Sequence, residues 1–178
     1  MITSLLTVGL RFHNELSQKY LLSNEIKINL KMATLFNKIT IKAPVENIFQ
    51  ALSQMEGFEN LDPNVKKSIS LSTIASGLNA SRKVEMMDGK NWFKEKVTNL
   101  IPNESITYEL TDCSFPVKSL RYTYTLTKSG SETLVDQNMS YDMKYGILGK
   151  MRDSLMIKKQ YNKGIRQFFT GLKTFAEN

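Results

Sequence analysis

From Ala80 to Lys144 apolar and polar residues alternate along the chain, broken at short clusters rich in Gly, Pro, Asn, Asp and Ser. A period of two puts successive side chains on opposite faces of an extended chain, one toward a core and one toward water. The runs are Ala80–Met87, Trp92–Ile101, Glu104–Thr111, Lys118–Thr127 and Glu132–Lys144, with Val65–Ile74 before them. Between them lie Asp88-Gly89, Pro102-Asn103, a loop with Phe115-Pro116, and Ser129-Gly130. Read as two-residue hairpin turns, the first pair sets Arg82 opposite Glu95 and Val84 opposite Phe93. The second sets Val97 opposite Tyr108 and Glu95 opposite Leu110, and the third sets Tyr122 opposite Gln137 and Tyr124 opposite Val135. A three-residue loop after Met87 would change the first set. All three hairpins agree in parity: one face collects Val84, Val97, Ile106, Tyr122, Val135 and Met139, the other Lys83, Lys96, Thr107, Arg121, Thr125 and Asp136. A slip of one residue would expose every large apolar side chain, so the faces are strongly specified.

The flanking segments have a different period. Leu35–Lys42 reads as a first strand, and Ala43-Pro44 opens a helix whose apolar face is Val45, Ile48, Phe49 and Leu52. Gly57 ends it, and Phe58–Leu61 adds a short turn before Asp62-Pro63. In Gly149–Glu177 the residues Met151, Leu155, Tyr161, Ile165, Phe168 and Leu172 follow helical spacing, with Gly164 marking a kink or a close approach to the sheet. A layer of antiparallel sheet with one long helix on its buried face is an α+β domain.

At 178 residues the chain suits one domain, spanning 32–178. Residues 1–31 read as an N-terminal extension. The apolar stretch at 2–10 lacks a basic segment before it and is too short to cross a bilayer. Phe12, Leu16 and Tyr20 fall on one helical face. Three readings stand side by side: a segment outside the domain with translation starting at Met32, an extension packed on the domain, and a helix that touches a membrane.

Several function classes lack their residues. Cys113 is the single cysteine, so no internal disulfide forms and a reducing, cytoplasmic setting is expected. His13 is the single histidine, and no cluster has metal-ligand spacing. Neither phosphate-binding glycine loop is present, nor a GxSxG elbow. No metal, no cofactor and no catalytic residue set is expected. The net charge of +7 suits either an anionic partner or a solvated lysine-rich surface, and with no nucleic-acid motif a nucleic-acid partner is not expected. The last helix concentrates the charge in Lys150, Arg152, Lys158, Lys159, Lys163 and Arg166, a face that is either solvated or turned to anionic lipid headgroups.

Three segments carry a family resemblance. Ile41-Lys42-Ala43-Pro44-Val45-Glu46-Asn47-Ile48-Phe49 looks like the opening of the START-like (SRPBCC) superfamily, where the first strand runs into an Ala-Pro helix start. Arg82 with Glu95-Lys96-Val97 resembles positions of its polyketide cyclase/dehydrase-like branch, and Tyr145–Asp153 resembles the Gly-x-x-Gly approach to its last helix. The resemblance covers about residues 35–176 and implies a helix-grip fold, a curved antiparallel sheet wrapped around the long C-terminal helix. It also implies an apolar cavity between them for a lipid or polyketide-like molecule.

The inner face then holds the candidate ligand-binding residues Arg82, Glu95, Phe93, Tyr108, Tyr122, Tyr124, Gln137 and Tyr141, with Met151 and Leu155 facing them from the helix. Arg82 and Glu95 are expected to pair, either as the polar end of an apolar pocket or as a structural ion pair that sets strand register. The tyrosines either bond a ligand or fill the core. Three functions follow: a carrier of a small hydrophobic molecule, a cyclase or dehydratase using Glu95 and Arg82, and an interaction module with a filled core. The first is preferred, because a buried Arg opposite Glu95 works against a general base near neutral pH. The sequence does not set the oligomeric state.

Overall fold

The computed structural model describes residues 32–144 and 151–178, the latter by backbone alone over 151–157. The expectations for residues 1–31 and for the segment after Lys144, and the side chains of Met151 and Leu155, lie outside the described residues. The elements are β1 (Ala33–Ile41), α1 (Val45–Ser53), a 3-10 turn (Phe58–Asn60), β2 (Val65–Ser70), β3 (Ser81–Met86), β4 (Trp92–Ile101), β5 (Ser105–Cys113), β6 (Val117–Ser129), β7 (Glu132–Met143) and α2 (Met151–Glu177). They form one seven-stranded sheet in the order β1-β7-β6-β5-β4-β3-β2. β1 and β2 follow one another in the chain yet form opposite edges, so α1 and the 3-10 turn carry the chain across the sheet. The α+β helix-grip expectation holds.

The faces fall as the alternation requires, but the turns differ from their expected positions. β2 stops at Ser70 rather than Ile74, because the chain closes a loop in which Leu71 N–H donates to Ser81 O at 2.9 Å and Ser81 N–H to Ser72 Oγ at 3.1 Å. The β3–β4 connection is a four-residue loop, not two: Met86 N–H reaches Asn91 O at 2.9 Å, and the Asp88 carboxylate accepts the N–H groups of Lys90 and Asn91. Adding one residue on each side leaves the register alone, and Arg82 sits opposite Glu95 as expected. After β4 the turn is Pro102–Glu104, with Asn103 left-handed at φ 60° and Ile101 opposite Ser105. That shift would displace every later pair, but an irregularity at Thr98 absorbs it and restores Val97 opposite Tyr108 and Glu95 opposite Leu110.

The last hairpin corrects the sequence register. The turn is Gly130-Ser131 rather than Ser129-Gly130, so Tyr122 faces Met139 and Tyr124 faces Gln137. Gly130 has φ 62°, and placing glycine first in a two-residue turn puts the left-handed conformation where no Cβ opposes it. The correction is two residues, so no side chain changes face.

The core lies between the concave sheet face and the two helices. Ile48 and Leu52 of α1, Ile165, Phe168, Phe169 and Leu172 of α2, and Val84, Val97, Ile106 and Val135 of the sheet are all buried, and Tyr124 of β6 meets Phe168 and Phe169. Each such side chain contributes about 1.5–3 kcal/mol on leaving water. Gly164 has open space around its Cβ position, so it marks no close approach; that role belongs to Gly171, which lies against Leu61. On the outer face Thr107 is unexpectedly buried, and its hydroxyl bonds that of Thr123 across the strands at 2.9 Å.

Candidate functional site on the concave face

Two ends of the concave face differ. At one of them, Arg82 of β3 and Glu95 of β4 are 2% and 1% exposed, a degree of burial that unpaired charges would not tolerate. They satisfy one another. Arg82 Nε and Nη2 both reach Glu95 Oε1, at 2.8 and 2.7 Å, and Arg82 Nη1 donates to the Gln54 carbonyl at 3.1 Å. The second Glu95 oxygen accepts the Tyr122 hydroxyl. Phe58 covers the guanidinium, its ring centroid 4.0 Å away, and Tyr108 lies at 5.0 Å on another side. Burial alone would lower the Arg82 pKa, but the Glu95 carboxylate and nearby tyrosines outweigh it and hold the guanidinium charged.

Aromatic rings continue this closed end across the sheet. Tyr108 stacks on Tyr122 at 5.4 Å, Tyr122 meets Tyr124 edge-on at 5.5 Å, and Tyr124 meets Phe168 of α2 at 5.7 Å. Tyr108 donates its hydroxyl to the Leu52 carbonyl at 2.7 Å, fixing the end of α1 to the sheet. Burial pushes the phenols of Tyr108, Tyr122 and Tyr124 well above their ordinary range, so they are hydrogen-bonding groups at neutral pH rather than bases.

Gln137 stands next in this row. It is 3% exposed, and its Nε2 donates to Tyr124 Oη at 3.1 Å. Its Oε1 is buried and has no hydrogen-bond partner among the described residues, and the same holds for Nδ2 of Asn37 on β1.

The other end of the same face is less covered. Phe93, Leu110, Leu120 and Met143 carry the parity of the buried set, yet each stays half-buried. Tyr141 beside them is buried, and its ring lies 4.9 Å from that of Tyr161 on α2. Burial pushes the Tyr161 phenol up to about 12. Partly covered apolar side chains along a concave face, with closed packing behind them, have the character of a pocket wall.

A separate groove of about 1150 Å³ runs outside α2, between Leu61 and Pro63 on one side and Lys159, Lys163, Arg166 and Phe175 on the other. It is wide-mouthed and does not reach the concave face. Among the described residues no group of three His, Cys, Asp or Glu could hold a metal ion, and no helix is long and apolar enough to cross a membrane.

The profile of the polyketide cyclase / dehydrase and lipid transport family matches residues 32–177. The chain belongs to this family. No curated protein sequence matches it. Among solved structures, a START superfamily protein from Mycobacterium smegmatis is similar at a TM-score of 0.67 and 16% identity, covering 81% of this chain and 97% of that one. Major latex-like protein 151 from Panax ginseng is similar at 0.66 and 14%, covering 83% and 99%. The di-domain ARO/CYC StfQ of the steffimycin biosynthetic pathway is similar at 0.68 and 13%, covering 82% of this chain and 51% of that one. At such identities the likeness establishes the fold.

Of the ten candidate residues, six gather at the closed end: Arg82, Glu95, Tyr108, Tyr122, Tyr124 and Gln137. Phe93 and Tyr141 stand at the open end, and the side chains of Met151 and Leu155 are outside the description. Sequence reasoning missed Phe58, the Gln54 carbonyl and Asn37. Phe58 follows a helix-stopping glycine and looks like a turn residue, a backbone carbonyl carries no sequence signal, and Asn37 interrupts the inner face of β1 where a polar residue was available to notice.

Proposed function

We propose that the chain binds a small hydrophobic molecule between the concave sheet face and α2, and holds it without chemical change. The observation that carries this reading is the half-buried row Phe93, Leu110, Leu120 and Met143 on a face whose alternation otherwise buries its apolar residues. Family membership supports it, since the family's description includes lipid transport. Against turnover stands the state of Glu95. Three of the four acceptor sites of this carboxylate are taken, two on Oε1 by Arg82 and one on Oε2 by Tyr122, and the buried guanidinium beside it opposes its protonation, which disfavours it as a general base. A reducing, cytoplasmic setting and a peripheral membrane contact through the exposed Lys158, Lys159, Lys163 and Arg166 are part of the same reading, for a carrier must collect and deliver its cargo.

Native mass spectrometry of protein purified from its own host tests the proposal. The expected result is an apolar molecule bound one to one and released intact on denaturation. Protein that emerges empty and converts an added polyketide-like substrate would establish an enzyme instead.

A further inference from the structure

The groove outside α2 combines features that a merely solvated surface does not need. Lys159, Lys163 and Arg166 line it at i, i+4 and i+7, so three cations stack along one face of the helix. Like charges at that spacing cost helix stability. No carboxylate among the described residues lies within ion-pair distance of any of the three. They sit near the middle of α2, where the helix dipole does not favour a cation. Glu59, the acidic side chain on the opposite wall, is already engaged: its Oε2 accepts the Ser68 N–H at 3.0 Å. The lining is otherwise largely apolar, with Leu61, Pro63 and Phe175, and Phe175 is 50% exposed. The contact of the Gly171 backbone with the Leu61 carbonyl holds the two walls together, so the groove has a fixed shape.

We infer that this groove docks an acidic amphipathic helix of a partner protein, its apolar stripe against Leu61, Pro63 and Phe175 and its carboxylates at Lys159, Lys163 and Arg166. From Lys159 to Phe175 α2 rises about 24 Å, the length of a helix of about 16 residues. Such a helix, about 10 Å across, fills about 1900 Å³ as a cylinder. The 1150 Å³ of the groove takes somewhat more than half of that, as a helix laid in a groove with its outer face in water requires. A bilayer is flat over the same length and would meet the tips of the cations while leaving the apolar lining in water. A docked helix and an anionic membrane would compete for these cations. The groove does not reach the concave face, so the inference is independent of what the chamber binds.

The test titrates the full chain into a fluorescein-labelled synthetic helix of about 16 residues, built from Leu, Ala and Glu with its leucines on one stripe, and reads fluorescence anisotropy at pH 7. The expected result is saturable binding that weakens by about tenfold between about 0.05 and 0.5 M salt. A peptide of the same composition with its leucines scattered round the helix, and one with Lys in place of Glu, should each bind about tenfold more weakly or worse. Joint Lys163→Glu and Arg166→Glu substitution should weaken the acidic helix by about tenfold or more. Lys158→Glu, on the same helix but outside the groove, should change it by less than about twofold. Thr170→Trp alters no charge, fills the groove from an exposed position and should abolish binding of the helix. Retained binding in Thr170→Trp, equal binding of the scattered peptide, or no binding of the acidic helix at about 1 mM chain would overturn the docking site. Phosphatidylserine vesicles that bind the wild-type chain where the helix does not, and lose it on the double charge reversal, would also overturn it and assign the cations to a membrane.

Discussion

The backbone of Gly171 in α2 lies against the carbonyl of Leu61, with no room for a Cβ between them. Leu61 ends the segment that carries the chain across the sheet, so this contact sets how closely α2 approaches the edge of the core. Pro63 Cδ lies 3.4 Å from the same Cβ position and closes the other side.

Gly171→Ala should therefore destabilise the fold by about 1–3 kcal/mol, as overpacking does when the obstructing atom is backbone. Gly164→Ala is the control. It adds a methyl group to open space in the same helix and should stabilise by about 0.5–1 kcal/mol through helix propensity. Urea unfolding of both variants checks the pair, and a matched response at the two sites would refute the close contact.

The Arg82–Glu95 pair predicts strong non-additivity. Either Arg82→Met or Glu95→Leu strands a buried charge and should cost about 3–5 kcal/mol. The double variant strands neither and should recover most of that loss. A double-mutant cycle by chemical denaturation measures the coupling, and additive losses would mean that the two groups do not rely on each other.

The buried phenols set a limit at high pH. Burial raises Tyr108, Tyr122 and Tyr124 far above the ordinary value and Tyr161 to about 12. Near pH 10 the unfolded chain begins to release these protons while the folded chain keeps them, so the unfolded state binds fewer. Stability is thus fully present below about pH 10 and falls as pH rises through the folded values, by about 1.4 kcal/mol per pH unit for each such tyrosine. Phenolate absorbance should appear together with loss of structure. Full ionisation of all seven tyrosines near pH 10 in a folded protein would contradict the burial.

Residues 34–178 form a compact unit of their own. A chain beginning at Met32 should accordingly unfold in one cooperative thermal transition. Loss of that transition would show that residues 1–31 are needed for the fold.

Alternation along residues 80–144 was enough to give the sheet, its two faces and the Arg82–Glu95 pairing, because a side chain's face depends only on parity. The fold was legible because the two-residue error in the last turn leaves parity intact, and the irregularity at Thr98 absorbs the one-residue shift at Pro102–Glu104. Hence the mistaken turn at Ser129-Gly130 moved Tyr124 from Val135 to Gln137 without turning either strand over. What the sequence could not decide was which polar groups find partners. Glu95 looks the same in sequence whether it waits for a substrate or is held by Arg82 and Tyr122. Gln137 looks like any core-facing amide until Tyr124 is seen to use one of its atoms and nothing described uses the other. Satisfaction of a buried polar group depends on atoms brought together from distant parts of the chain, such as the Gln54 carbonyl at Arg82, and those meetings exist only in the tertiary structure.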